Sequence, residues 1–251
     1  MSIEDLSKPL GIKEVDFRIQ SINNGGYATI LVYKDARVDQ NRLDQAVGRL
    51  NWTRQHSNNN ANCTVSVWCK DKKQWVSKED TGTQSNTEKE KGLASDSFKR
   101  ACFNWGIGRE LYDYPRISIK LKEDKEYKMN NGKPKQHWGL NLNAWNWNTL
   151  FDDGRLVYIS AKDTEGVQRF LWDDYYYIVK ANKSSIDCIK KSIESGDYSS
   201  GLEAWNELEE CLKMALWKAH TKGGCFTTQE QQVMKSTEFR EGQNINVKME
   251  G

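Results

Sequence analysis

The stretch Glu88–Tyr112, EKEKGLASDSFKRACFNWGIGRELY, constrains the fold more than any other part of this chain. At about 100° per residue, Ala94, Phe98, Ala101, Cys102 and Trp105 fall within roughly one 100° arc, which is enough apolar surface to bury a helix on a neighbour. Lys99 and Arg100 project from the other side, with Lys89 and Asp96 near them. Gly106 and Gly108 then stop the helix, because glycine enters the left-handed conformation that a C-terminal cap requires. Taken alone, this is a surface helix with a basic face. What precedes it narrows the reading.

Residues 3–22 hold a possible short helix around Val15–Ile22, closed by the turn Asn23-Asn24-Gly25-Gly26. Tyr27–Tyr33 is rich in β-branched and aromatic residues and reads as a strand. Asp39 is placed to cap a helix over Gln40–Leu50, where Leu43, Ala46, Val47 and Leu50 form an apolar stripe. Three strands follow at Trp52–His56, Cys63–Cys69 and Gln74–Asp80, separated by an Asn-rich turn and by Lys70-Asp71-Lys72-Lys73. A curved antiparallel β-β-β-α core, with the long helix across one sheet face, buries the apolar side of both. The expected fold class is therefore α+β, with a core at about 27–114 and further strands over 115–180.

Those further strands are Ile117–Leu121, His137–Asn148, Arg155–Ser160 after the turn Asp152-Asp153-Gly154, and the aromatic segment Phe170–Val179. Gly132–Lys135 reads as a loop. Beyond Lys180 the period becomes helical. Ile186–Glu194 is stopped by Gly196, Leu202–Ala219 carries a Leu/Trp stripe opposite four glutamates, and Thr227-x-x-Glu230 is a capping box. Residues 181–236 form a small helical region, and 237–251, polar and unpatterned, are expected to be a disordered tail.

The 251 residues suffice for one substantial core and a satellite. From residue 181 onward there are 9 Lys and Arg against 11 Asp and Glu, while the first 180 hold the other 28 against 24. A polyanion site therefore belongs in the first 180 residues. Six cysteines show no C-x-x-C pair and suit small buried hydrophobes in a reducing cytoplasm. MSIEDLSKPL lacks the basic-then-apolar pattern of a secretory leader, and no run approaches 18 apolar residues. The ten tryptophans serve equally well as core or as stacking platforms for unpaired bases.

No G-x-x-x-x-G-K-[ST] phosphate loop is present, and Gly106-Ile-Gly108 ends a helix instead of joining strand to helix. No nucleophile elbow supports a hydrolase triad among His56, His137 and His220. The aspartates at 152, 153, 163, 173 and 174 leave open a Mg²⁺-dependent nuclease, and the sheet-plus-helix layout leaves open a double-stranded RNA-binding module. The expectation is nonetheless a protein that is not an enzyme and uses no cofactor or metal.

Tyr27–Tyr114 resembles the eukaryotic single-strand annealing family of the Rad fifty-two type, and more closely its Sak-type phage relatives. The likeness runs through Ala36-Arg37-Val38, Asn51-Trp52 and the Lys70-Asp71 hairpin, and it ends in Asp96-Ser-Phe-Lys99-Arg100-Ala-Cys-Phe-Asn-Trp-Gly106. It implies a homo-oligomeric ring holding single-stranded DNA by its backbone in a basic outer groove. By position, Lys99 and Arg100 match the backbone-binding pair, Arg37 an arginine of the same groove, and Lys70 a lysine of a second DNA site. Lys89, at the helix start, completes the expected set. The chain departs from the family in its short Thr81–Thr87 connection and in Phe103, where a basic residue is expected. The resemblance implies recombination and repair in the cytoplasm of a phage-infected bacterium. The acidic face of the helical region leaves open a contact with a single-strand-binding protein or packing on a neighbouring subunit.

Overall fold

The computed structural model describes residues 3–83 and 89–245, the side chains of 89–91 excepted. The architecture is mixed α+β, with antiparallel sheets and eight α-helices among the described residues. The chain divides into two compact units, Met1–Leu156 with Ser160–Phe170, and Val157–Ile159 with Leu171–Gly251.

In the first unit, β1 (Asp16–Ile22) pairs antiparallel with β2 (Tyr27–Tyr33), and β2 pairs with β6 (Ile117–Lys120). The helix expected around Val15–Ile22 is thus a strand. Val15, Phe17 and Ile19 alternate with polar neighbours, and Phe17 lies flat against Trp147 with ring centroids 3.7 Å apart. Pairing with β2 outweighs any local helical preference. The next helix, α1 (Ala36–Val47), begins earlier than expected because Asp35, not Asp39, caps it by accepting from the Arg37 backbone N–H. Asp39 is instead fully buried against Lys34, which also donates to the Ile107 carbonyl at 2.7 Å and lies 4.3 Å from the Phe103 ring centroid.

β3 (Trp52–Ser57), β4 (Asn62–Cys69) and β5 (Gln74–Thr81) form a separate antiparallel sheet in that order, and α2 (Lys89–Asn104) packs on it. β2 is therefore not part of the sheet beneath the long helix. Cys63, Val65 and Val67 of β4 point at Phe98, Ala101 and Cys102, and all six are buried. The helix comes so close at Gly82 that an added Cβ would lie 2.5 Å from the Ser97 nitrogen, so only glycine fits. Gly106 and Gly108 take positive φ, 99° and 73°, and end the helix as the sequence implied.

Downstream, β7 (Tyr127–Asn130) and β8 (Lys133–Gln136) form a hairpin where a loop was expected. Its Asn131-Gly132 turn has φ of 48° and 73°, the left-handed pair that a two-residue hairpin needs. Residues 137–148 are not one strand. A turn and a 3-10 segment at Leu142–Ala144 precede β9 (Asn146–Asp152). The Asp153-Gly154 turn leads into β10 (Arg155–Lys162), which β11 (Gln168–Asp173) joins on its other edge.

The second unit holds α3 (Tyr175–Ala181), α4 (Lys183–Ser195), α5 (Ser199–Asn206), α6 (Glu210–Leu216), α7 (Thr228–Lys235) and α8 (Thr237–Arg240). The aromatic segment 170–179 changes from strand to helix at Asp174, whose side chain caps α3. Leu202–Ala219 is two helices, since Glu209 is extended (φ −63°, ψ 148°). The break brings Trp205 and Trp217 to 5.7 Å between centroids. The Thr227/Glu230 capping box forms as expected. Within the expected disordered tail, 237–240 are helical because Phe239 is buried against Tyr198, while 246–251 lie outside the described residues.

Candidate nucleic-acid interface

The register of the β3-β4-β5 sheet decides which charges flank α2. Trp52, Arg54 and His56 on β3, and Val76, Lys78 and Asp80 on β5, share the face on which the helix lies. Arg54 sits 4.9 Å over the Phe98 ring, and Lys78 sits 4.5 Å over Trp105 while donating to the Asn104 carbonyl at 2.7 Å. Both cations are exposed. The helical periodicity of α2 could not show them, since they lie on strands that only pairing brings alongside.

Lys99 and Arg100 are neighbours in sequence but lie in different settings. Lys99 is close enough to the α1 start for its charge to lower the pKa of Asp35, mainly depressed by its hydrogen bond from Arg37. Arg37 donates Nε–H to Asp35 at 2.8 Å, in a side chain 83% exposed whose terminal nitrogens remain available. Arg37 is thus bonded to Asp35, while Lys99 acts on the same carboxylate through its charge at longer range. Arg100 turns toward β5, with Nε 3.5 Å from Asp80, and that nitrogen is buried outside hydrogen-bond geometry.

Lys70 is exposed at the tip of the β4–β5 hairpin. Six residues of extended strand, about 20 Å, separate the tip residue Gln74 from Asp80, so Lys70 is not gathered with the others. Lys89 opens α2, but its side chain lies outside the described residues.

Four of the five aspartates considered for metal chemistry have local structural roles. Asp152 and Asp153 serve the β9–β10 turn, and Asp174 caps α3. Burial pushes the Asp163 carboxyl up, but Arg169, Lys122 and the Val167 and Glu165 N–H groups outweigh it and hold it at about 2. Arg169 is itself buried, with Nη1 2.7 Å from Glu126 and 2.9 Å from Asp163, and its guanidinium 4.9 Å from the Trp145 ring centroid. Among the described residues no group of three or more His, Cys, Asp or Glu side chains is arranged to hold a metal ion.

No helix among the described residues is long and apolar enough to cross a membrane. No protein-family model matches the chain, and comparisons with curated proteins and with solved structures return no significant match.

Proposed function

We propose that this chain is an ATP-independent single-strand annealing protein, phage-encoded and acting in recombination and repair as a homo-oligomeric ring. In this reading the β3-β4-β5 sheet and α2 are the curved β-β-β-α core of an annealing domain. The observation that carries it is the placement of exposed Arg37, bonded to Asp35 at the start of α1, beside half-buried Lys99 of α2, near enough for its charge to act on the same carboxylate.

Lys and Arg contacts to phosphates supply affinity that ignores sequence and weakens with salt. Annealing needs no fuel, since each stacked base-pair step releases about 1.4 kcal/mol. The protein has to hold a strand extended, offset interstrand repulsion and leave base edges free. A basic edge does this without a catalytic residue.

The test is annealing of complementary oligonucleotides without nucleotide, with Lys99→Ala/Arg100→Ala as the comparison. Wild type is expected to anneal and to lose activity as salt rises, and the double variant to anneal at least tenfold more slowly. A wild type that does not anneal, or that shortens labelled DNA with Mg²⁺, overturns the function. An unimpaired double variant overturns the site.

A further inference from the structure

The β7–β8 hairpin carries a charge arrangement that its own stability does not explain. Lys128 pairs directly across from Lys135, and Asn130 from Lys133. These pairs alternate with Tyr127 opposite Gln136 and Met129 opposite Pro134, so Lys128, Lys133 and Lys135 share one face. Like charges directly opposite each other in a sheet destabilise it. All three are exposed, and among the described residues none meets a carboxylate.

The root of the hairpin, by contrast, is fixed. Tyr127 is buried, packed so closely on Gly26 that an added Cβ there would lie 2.7 Å from its hydroxyl. Glu126, just before it, has its carboxylate clamped by Arg169, and its backbone carbonyl accepts from the His137 N–H at 2.9 Å. Past β8 the chain turns through His137–Leu140, held by the Leu140 N–H to the His137 carbonyl and by Gln136 Nε2 to the Leu140 carbonyl. Trp138 stands on this turn, 92% exposed, its only ring neighbour among the described residues being His137 at 5.5 Å.

We propose that the β7–β8 hairpin and Trp138 form a second single-stranded DNA contact, in which Lys128, Lys133 and Lys135 hold backbone phosphates and the Trp138 indole stacks on an unpaired base. The proposal rests on the annealing function and extends it to an element that carries none of Arg37, Lys99 or Arg100 and is distinct from the β4–β5 hairpin of Lys70. A basic track beside an aromatic platform is the arrangement that binds single strands without sequence preference. A duplex satisfies the lysines equally well but offers no unpaired base to the indole, which favours a single strand.

The experiment measures binding of a labelled oligo-dT to the full chain across a salt series. Lys128→Ala/Lys133→Ala/Lys135→Ala is expected to make the slope of log K against log salt shallower by about 2, at about 0.7 per phosphate contact. Trp138→Ala is expected to weaken binding by on the order of tenfold, with Trp138→Phe restoring most of it. These positions are exposed, so unchanged thermal unfolding marks each variant as folded. Wild-type affinity and slope in both variants, alongside a weakened Lys99→Ala/Arg100→Ala, overturn the hairpin contact and leave the annealing function standing. Equal losses on blunt duplex and single strand overturn the stacking role and make the hairpin a duplex contact. A wild type that does not bind single strands overturns both.

Discussion

Arg100 lies 3.5 Å from Asp80 across the seam between α2 and β5, with its Nε buried and no hydrogen-bond partner. A guanidinium so placed is partly neutralised by a neighbour that does not satisfy it. Asp80 also accepts from Asn104, one helical turn further along α2. The carboxylate therefore restrains the cation proposed to meet the DNA backbone.

Removing that restraint is expected to strengthen single-strand binding. Asp80→Asn keeps the shape and the Asn104 contact but deletes the charge, leaving Arg100 free to meet a phosphate. The slope of log K against log salt should steepen by about 0.7, one added contact. A titration of oligo-dT at several salt concentrations measures this, and unchanged or weaker binding would remove Arg100 from the interface.

The Lys34–Asp39 pair supports a prediction about stability. Burial pushes the Asp39 carboxyl up to about 6, against the pull of the Lys34 ammonium. Because the folded value lies above the ordinary 3.8, the native state holds the extra proton, and this contribution to stability fades as pH rises from about 4 to about 6. Lys34→Met leaves a buried acid unpaired and should cost about 3–5 kcal/mol at pH 8. The cost should be smaller at pH 5, where the acid is largely neutral. Urea unfolding at both pH values checks the sign, and an equal loss at both would refute it.

Arg169 makes the opposite pH prediction. Asp163, held at about 2, contributes stability that is complete above about pH 4 and disappears as pH falls toward 2. Arg169→Met uncouples both Glu126 and Asp163 and should destabilise by about 3–5 kcal/mol at neutral pH. The gap between wild type and variant should narrow through the acid limb, because the variant, left with Lys122 and the Val167 and Glu165 N–H groups, depresses the Asp163 carboxyl less. A gap that stays constant down to pH 2 would show that the lost packing on Trp145 dominates.

Much of the architecture was legible in local signals. The three-strand meander announces itself by alternation, with Cys63, Val65 and Val67 buried and Thr64 and Ser66 between them. The α2 stripe through Phe98, Ala101 and Cys102 and the stop at Gly106 follow from helical period and glycine chemistry. Expectation and structure differ where a packing or pairing contact outside the local periodicity claims a residue. Asp39 has the chemistry of a cap but is drawn inward by Lys34, and Asp35 does the capping. Phe17 lies in a short polar run with no helix-breaking signal, yet its burial on Trp147 favours a strand. Gly132–Lys135 reads as a loop because Lys-Pro-Lys-Gln of β8 holds no β-branched or aromatic residue, and only its pairing with β7 makes it a strand.

The candidate interface divides in the same way. Lys99 and Arg100 were readable from one helix, because 3.6-residue periodicity places them opposite the apolar stripe. That they part company, Lys99 toward Asp35 and Arg37, Arg100 toward Asp80, depends on which element lies on each side of α2. The approach of Arg54 and Lys78 depends on strand register across the β3-β4-β5 meander and on how α2 lies over it. By itself the sequence determined the elements, their apolar faces and the uneven spread of charge, since these arise from neighbours within a few residues. Only the tertiary structure decided which charges meet and which remain unpaired, since a carboxylate about twenty to forty residues away sets the electrostatics of a cation once folding brings it within a few ångströms.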